Sequence, residues 1–286
     1  MNLQMTREKV DFIGIGVQKA ATSWLFQCLL EHPEVRGGKA KETNYFNHRY
    51  VFGEAWYHGL FEFGEWITGE FSTLYFFDKN VPERIHRYNP NAKLILSLRN
   101  PIDRAFSQHQ HEVRRDRLPV ELYDFSEAIK FNETYIEQGR YATHLEHFLH
   151  YYSLEQIFIA LYDDVVSNPD QVLRELFCFL GISTEFHPIT TNEKVNVART
   201  YRSRKFDATT RLFKKVIREV GGDRVVQLLK RISLQEYLAK VNEKPQHEVV
   251  VPPLSGKMRS DLQEIFDPEI RRLEELTGAR LAGWRG

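Results

Sequence analysis

The sequence predicts an α/β fold with a parallel β-sheet of about four to five strands and helices on both faces. Four short apolar runs are typical of strands: Phe12 to Gly16, Trp66 to Glu70, Lys93 to Leu98 and Gln156 to Tyr162. Helical patterns lie between and after these runs. Such alternation provides the helical connections that parallel strands need.

The length and composition of the chain favour one domain over residues 1–286. With 286 residues, of which 42% are hydrophobic and 27% charged, the chain can bury a sizeable core. Residues from about 205 to 253 are predicted to form a helical appendage, and an amphipathic helix is expected from Ser260 to Thr277 through Leu262, Ile265, Phe266 and Leu273.

Charge and cysteine content exclude several classes of partner. Lys plus Arg and Asp plus Glu both number 39, so no net field favours nucleic acid or a membrane surface. No apolar run reaches the roughly 18 residues of a membrane span, and Met1 to Lys9 lacks the apolar core of a signal peptide. Cys28 and Cys178 both follow apolar patterns, so we expect two buried thiols and a cytoplasmic protein.

The turn after the first strand has the composition of an anion site. Its sequence is Lys19-Ala20-Ala21-Thr22-Ser23-Trp24. Thr22 or Ser23 can begin a helix, so unpaired amides, the positive end of the helix dipole and the Lys19 ammonium would converge on one phosphate. Taken alone, the pattern fits an ordinary strand-to-helix turn with a solvated lysine equally well.

A second strand end carries a complementary pattern. The strand from Lys93 to Leu98 ends at Arg99, and Asn100-Pro101-Ile102-Asp103 has the cap, proline and acid of a helix start. Ser107 lies two turns along this helix, away from its apolar face. Arg99 and Ser107 can therefore reach one ligand, the arginine as a forked donor.

Together the two motifs resemble those of sulfotransferases that use 3′-phosphoadenosine 5′-phosphosulfate (PAPS) and release adenosine 3′,5′-bisphosphate (PAP). The resemblance extends from about Asp11 to Trp284 and is nearest to the bacterial and heparan-sulfate-type branch. It implies a P-loop-like sheet. It also implies that the loop Lys19-Ala20-Ala21-Thr22-Ser23 holds the 5′-phosphosulfate and that Trp24 stacks near adenine.

The resemblance assigns the other end of the nucleotide as well. Arg99 and Ser107 would bind the 3′-phosphate, and Tyr162, at the end of another strand, would lie close to the adenine. A late basic loop would close over the 3′-phosphate. Arg199 is the first choice for that contact, and Arg202 remains an alternative.

Glu42 is the predicted general base. The segment Lys41-Glu42-Thr43-Asn44-Tyr45-Phe46 resembles the one that carries a glutamate base in the heparan-sulfate-type and bacterial branch. Without that resemblance, Glu42 would be interpreted as a solvated loop residue. Three histidines are alternatives: His48 could orient the acceptor, His111 shares a polar helix face with Ser107, and His109 is expected to be packed.

The acceptor is predicted only as a hydroxyl-bearing carbohydrate or small molecule. Heparan-sulfate enzymes have a lysine at the place that Phe71 occupies here, so a polyanionic glycan is less expected. An aromatic tract could line an acceptor cleft, although core packing is the commoner fate of such side chains. The tract comprises Trp56, Tyr57, Phe61, Phe63, Trp66, Tyr75 and Phe76.

The sequence thus predicts a PAPS-dependent O-sulfotransferase that needs no metal. One alternative is a P-loop kinase, with Asp163 and Asp164 after a strand as magnesium ligands. Against it, Lys19 lacks the Gly-Lys-Ser/Thr context of that class. Another alternative is a nucleotide-binding module without chemistry. The oligomeric state is not predicted.

Overall fold

The computed structural model describes residues 9–192 and 251–285. Five strands are present in these ranges: β1 Phe12–Gly16, β2 Val35–Gly37, β3 Ile67–Phe71, β4 Lys93–Leu98 and β5 Ile157–Leu161. The helices there are α1 Thr22–Glu31, α2 Gly53–His58, α3 Val81–Tyr88, α4 Pro101–Arg114, α5 Phe125–Phe131, α6 Thr134–Glu137, α7 Tyr141–Leu149, α8 Tyr162–Ser167, α9 Pro169–Leu180 and α10 Gly256–Thr277.

The five strands form one parallel sheet in the order β2-β3-β1-β4-β5. This confirms the predicted α/β class and strand number. Because the strands are parallel, all their carboxyl ends meet at one edge of the sheet. The chain leaves β1 for β2 and β3 on one side and later returns to β4 and β5 on the other. Such a reversal beside a central strand is where open α/β sheets bind ligands.

Apolar side chains cover both faces of the sheet. Phe12, Phe71 and Ile95 share one buried cluster with residues of α1 and α9. Ile13 and Leu94 alternate with these positions and are also fully buried, so the opposite face is covered too. In the middle of β1, a Cβ atom at position 14 would lie 2.1 Å from the Phe71 ring, so the close packing of that ring requires Gly14.

Several predicted bounds and faces need correction. The strand predicted from Trp66 to Glu70 is Ile67–Phe71, the one from Gln156 to Tyr162 is Ile157–Leu161, and the helix predicted from Ser260 begins at Gly256. The edge strand β2 was missed because three residues are too few to show a period. Cys28 is buried as predicted, but the prediction for Cys178 is wrong, since its thiol is exposed. Helix α9 buries the stripe Val172, Leu173, Leu176, Phe177 and Leu180, and position 178 lies off it. In α10, Ile270 is buried, whereas Ile265 is exposed because it lies off the stripe of Leu262, Phe266 and Leu273.

The chain divides into two compact units. The first comprises Met1–Gln108, Glu133–Asn196 and Ser255–Gly286, and the second His109–Asn132 and Val197–Leu254. Within the second unit, Asp124 caps α5 by accepting from the Ser126 amide. The appendage predicted near 205–253 lies almost wholly outside the described residues, so the single-domain assignment stays a prediction. Within the described ranges, no helix combines the length and apolarity needed to cross a bilayer.

Candidate active site

The loop between β1 and α1 presents its backbone amides toward the carboxyl edge of the sheet. Lys19 and Ala21 have φ angles of 70° and 61°, in the left-handed region, whereas Ala20 between them does not. Alternation of this kind turns successive N–H groups toward one point and forms an anion-binding nest. Ala21 caps α1 without a side-chain hydrogen bond, so the first amides of the helix have no side-chain acceptor.

Strand β4 fixes the conformation of this loop. The Val17 amide donates to the Ser97 carbonyl oxygen over 2.8 Å, and the Ser97 hydroxyl donates to the Ala20 carbonyl oxygen. Arg99 Nη1 donates to the Lys19 carbonyl oxygen over 3.3 Å. The bonds from Ser97 and Arg99 occupy the carbonyl groups of Ala20 and Lys19, so the amides of the residues that follow can meet a ligand.

A buried arginine supports the loop through two glutamines. Gln18 Nε2 donates to Gln138 Oε1 over 2.5 Å, and the same oxygen accepts from Arg104 at 3.3 Å. Arg104 is fully buried and also donates to Gln108 Oε1 at 2.7 Å and the Tyr135 carbonyl oxygen at 2.6 Å. The first turn of α4 is thereby connected to the loop after β1.

The first residues of α1 have different surroundings. Thr22 is buried and Ser23 is exposed, and Lys41 Nζ donates to Ser23 Oγ over 2.6 Å. The Trp24 side chain belongs to the buried cluster, and its Nε1 donates to the Thr190 carbonyl oxygen over 3.1 Å. The stacking of Trp24 on adenine stays a prediction, and its indole already has a packing role.

Arg99 and Tyr162 are in contact at the ends of the neighbouring strands β4 and β5. The Arg99 guanidinium lies 4.4 Å from the centre of the Tyr162 ring, which favours a cation–π interaction. The Arg99 carbonyl oxygen accepts from Tyr141 Oη over 2.9 Å. With the bond to Lys19, these contacts place the guanidinium between the phosphate loop and Tyr162.

The helix start after Arg99 is as the sequence predicted. Asn100 Oδ1 accepts from the amides of Ile102 and Asp103 at 3.0 and 3.4 Å, which is N-cap geometry. Ser107 is half-buried on α4, and the structure shows no hydrogen bond between it and Arg99. The role of Ser107 at the 3′-phosphate stays a prediction.

Glu42 lies on a loop held against the end of β3. Its φ angle is 61°, and its amide donates to the Phe71 carbonyl oxygen over 2.9 Å. Glu42 Oε1 accepts from Thr73 Oγ1 at 3.3 Å and lies 3.9 Å from Lys41 Nζ. The side chain is 41% exposed, so its carboxylate can meet a ligand. Lys41 joins this carboxylate to Ser23 at the start of α1.

A fully buried carboxylate, Glu70, anchors the Glu42 loop. It accepts from the Thr43 amide and Oγ1, Ser72 Oγ, Tyr57 Oη and Tyr75 Oη, at distances of 2.7 to 3.3 Å. Burial raises the pKa of Glu70, while its hydroxyl donors act in the opposite direction. Burial and the nearby Glu70 carboxylate together raise the pKa of Tyr57 and Tyr75.

The sequence interpretation missed Lys41 and Glu70 as parts of the site. Lys41 precedes the predicted base, which was a signal, but its bond to Ser23 joins residues 18 positions apart. Burial lowers the pKa of Lys41, and the neighbouring Glu42 carboxylate partly offsets this. For Glu70, alternation along β3 would have indicated an exposed carboxylate on the face opposite Ile67 and Phe71, whereas all five residues of this parallel strand are buried. The sequence also does not reveal the four partner residues of Glu70.

The alternative candidates have other surroundings. His109 is packed as expected: its Nε2 is 2.9 Å from the Tyr123 carbonyl oxygen, and burial lowers its pKa. His48 is exposed and His111 is half-buried. Asp163, a candidate magnesium ligand of the kinase alternative, accepts from an indole N–H of Trp284. Within residues 9–192 and 251–285, no group of three or more metal-ligating side chains is found. Arg199 and Arg202 lie outside the described residues.

Most of the aromatic tract packs in the core. Tyr57, Phe61, Tyr75 and Phe76 are buried, and Phe71 is buried against Phe26 and Gly14. An exposed patch remains on the turn after the Glu42 loop, where Val51 and Phe52 are 87% and 56% exposed. The Phe52 ring is 5.1 Å from that of Trp56.

Comparisons with known proteins agree with these motifs. A family model described as Sulfotransferase domain matches residues 9–224. The chain is 30% identical to mouse bifunctional heparan sulfate N-deacetylase/N-sulfotransferase 4 over 62% of this chain and 23% of that protein. It is 32% identical to human heparan sulfate glucosamine 3-O-sulfotransferase 6 over 59% of this chain and 51% of that protein. The chain thus spans about a quarter to a half of these relatives.

Two solved structures share the fold. A sulfotransferase from Alicyclobacillus acidocaldarius superposes with a TM-score of 0.70 at 24% identity, covering 97% of this chain and 99% of that one. Mouse sulfotransferase SULT7A1 complexed with PAP gives 0.53 at 14% identity, covering 96% and 90%. At these identities the likeness shows the fold. Since the family model covers well over half of the sequence, the chain belongs to the sulfotransferase family, as its two phosphate-site motifs predicted.

Proposed function

We propose that this chain transfers a sulfuryl group from PAPS to a hydroxyl group of an acceptor. One observation carries the proposal: a connected set of contacts at the carboxyl edge of the sheet. Tyr162 contacts Arg99, and Arg99 binds the loop of Lys19. At the start of α1, Ser23 binds Lys41, which lies beside Glu42. Cations, amides and a carboxylate thus lie at the sheet edge where a nucleotide is expected.

The nucleotide would lie with its 5′ end on the loop after β1. Lys19 and the amides of Ala20, Ala21, Thr22 and Ser23 supply a positive field there, and Lys41 adds a second ammonium. Arg99 would bind the 3′-phosphate, and Tyr162 would lie beside the adenine.

In the reaction, the acceptor oxygen attacks sulfur on the side opposite the leaving 5′-phosphate. A new O–S bond forms as the S–O bond to the phosphate breaks, and Glu42 takes the hydroxyl proton. Negative charge grows on the leaving phosphate oxygen. Lys19 and the preorganised amides therefore stabilise the transition state more than the bound substrate.

We propose a neutral hydroxyl-bearing molecule, a sugar or an aromatic alcohol, as acceptor. Phe71 occupies the place of a lysine in the heparan-sulfate enzymes. It is uncharged, and its ring is buried in the core, so it offers no contact to a polyanionic glycan. Arg49 links the exposed Phe52 to the Glu42 loop through the half-buried Trp56. Its Nη1 donates to the Thr43 carbonyl oxygen over 2.6 Å, and its guanidinium lies 5.9 Å from the centre of the Trp56 ring, which contacts Phe52. The curated relatives named above act on heparan sulfate, and this chain shares with them the requirement for a hydroxyl or amine nucleophile.

The test combines nucleotide binding with transfer. Titration calorimetry of the folded protein should detect PAP binding without added metal. Labelled PAPS should then give labelled product with neutral hydroxyl acceptors in chelator, and heparan sulfate should be a poorer acceptor. Folded protein that takes up no PAP would refute the proposal, whereas preference for heparan sulfate would refute only the acceptor class.

A further inference from the structure

The C-terminal turn, Ala282–Trp284, contacts the two strand ends of the proposed donor site. Trp284 is 4% exposed, and its Nε1 donates to Asp163 Oδ2 over 2.9 Å. Its carbonyl oxygen accepts from Asn100 Nδ2 at 3.3 Å. Asp163 directly follows Tyr162, and Asn100 directly follows Arg99. Trp284 thus binds the residue that follows Arg99, which is assigned to the 3′-phosphate, and the residue that follows Tyr162, which is assigned to the adenine.

These contacts lie beyond the last paired residues of β4 and β5. The parallel pairing ends at Leu98 and Leu161. Arg99 directly follows β4, and Tyr162 directly follows β5 as the first residue of α8, so no ladder pair fixes their separation. The bridge through Trp284 links the two segments at this level, and the Tyr141 ring, whose hydroxyl holds Arg99, lies 6.3 Å from the Trp284 ring.

Helix α10 holds the turn in place. Glu274 near its end accepts from the Leu281 amide at 2.7 Å and pairs with Arg285 at 3.0 Å. The Trp284 amide donates to the Leu281 carbonyl oxygen over 2.8 Å. Helix α10 ends at Thr277, but these bonds on both sides of Trp284 fix the turn, and with it the indole, to the end of the helix.

We infer that Trp284 is a positioning residue of the donor site, which sets the spacing of Arg99 and Tyr162 for the 3′-phosphate and adenine. This inference rests on the proposed function. A guanidinium held in its binding position loses less freedom when the phosphate arrives, so the support increases affinity without touching the ligand. Adenine binding at Tyr162 would change for every adenine nucleotide, whereas the part that acts through Arg99 is specific to nucleotides with a 3′-phosphate.

The experiment compares PAP with adenosine 5′-monophosphate, which lacks the 3′-phosphate. Trp284→Phe keeps the ring packing and the carbonyl group but removes the indole donor. We expect PAP affinity to fall by about three- to tenfold, as for residues that act on a site at a distance, and monophosphate affinity to change much less. Asp163→Ala removes the acceptor at an exposed side chain and should give the same selective loss without affecting folding.

Trp66→Phe is the matched control. Like the Trp284 indole, its Nε1 donates to an oxygen atom, here the Glu62 carbonyl oxygen at 3.0 Å, but Trp66 precedes the amino end of β3. It should leave the ratio of the two affinities unchanged. In an Arg99→Ala background, Trp284→Phe should have little further effect on PAP affinity, because the two residues act on one contact.

The outcomes separate the inference from the proposed function. A wild-type ratio of affinities in folded Trp284→Phe and Asp163→Ala would overturn the inference, as would additive losses in the Arg99→Ala background. Failure of the wild-type protein to bind PAP would instead refute the proposed function.

Discussion

The donor loop and the Glu42 loop lie at the same edge of the sheet but are held by different means. The donor loop is fixed by short contacts from the adjacent strand β4 to its backbone. The Glu42 loop is fixed through Thr43 by a buried carboxylate, Glu70, that also collects Tyr57 and Tyr75. Under the proposed function, the charged groups of the donor side would contact the ligand, whereas Glu70, which holds the Glu42 loop, is fully buried.

This difference has a consequence for mutation. On the donor side, a substitution should change binding or turnover through the side chain that is removed. On the base side, a substitution at a fully buried residue should lower turnover by displacing the Glu42 loop. The following predictions test that contrast, from the largest expected effect to the smallest.

Glu42→Gln should give the largest loss. Without a carboxylate to accept the hydroxyl proton, kcat should fall by about 10²- to 10⁴-fold, the usual contribution of a general base. PAP affinity, measured by calorimetry, should stay at the wild-type value. Because Glu62 is an exposed glutamate in a loop before β3, Glu62→Gln is the control. A near-normal kcat would remove Glu42 from its assigned role.

Lys19→Ala should lower kcat by about 10²- to 10³-fold, as expected for one preorganised charge worth about 3 to 4 kcal/mol in the transition state. Unlike Glu42→Gln, it should also weaken PAP binding, because under the proposed function the ammonium contacts the 5′-phosphate in both the bound state and the transition state. Single-turnover kinetics with saturating PAPS would separate the two effects. Loss of binding alone, with kcat intact, would contradict the transition-state role.

Glu70→Gln should destabilise the protein by about 2 kcal/mol at acid pH, since the amide group faces donors it cannot satisfy. Burial raises the pKa of Glu70 above the ordinary 4.5, so its neutral form is favoured by folding. The stability that wild type gains is therefore complete below pH 4.5 and is lost as pH rises through the folded pKa. Urea denaturation should show the wild-type advantage shrinking over that interval.

The same variant tests the positioning of the base. In folded Glu70→Gln, kcat should fall while PAP affinity is kept, because the donor loop is held by β4. Tyr57→Phe removes one donor to Glu70 and should also lower kcat, by a smaller factor. Equal losses of kcat and PAP affinity would show that the two loops are not supported separately.

Lys41→Arg should have the smallest effect, a change in how PAP affinity depends on pH. Burial lowers the pKa of Lys41 below its ordinary 10.5, and a bound anion favours the charged form. PAP affinity of the wild type should therefore weaken as pH rises through the lowered pKa, by about 1 kcal/mol or less for a single partly exposed contact. The arginine variant stays charged and should show a flatter profile.

Lys39→Arg is the control for this profile. Its ammonium is exposed and donates to the Gly59 carbonyl oxygen over 2.9 Å. It should leave the wild-type pH dependence in place. Identical profiles for wild type and Lys41→Arg would show that Lys41 does not contact the bound anion.

The donor side was predictable from sequence because its parts are local. Strand β4 has the predicted bounds, and Asn100 caps α4 as its place before a proline and an acid indicated. The motif around Lys19 similarly lies between a strand and a helix whose patterns are complete within about ten residues each. Such elements can be predicted from the sequence because hydrophobic periodicity, cap residues and turn residues all lie within the element or directly beside it.

By itself the sequence determined the α/β class, the strand ends that carry Lys19, Arg99 and Tyr162, and the family. Tertiary structure alone decided that Lys41 binds Ser23 and that Glu70 gathers four residues. It alone also brought Trp284 to residues 184 and 121 positions away. The physical reason is that hydrogen bonds between distant residues depend on how strands and helices pack, and no local period encodes that geometry.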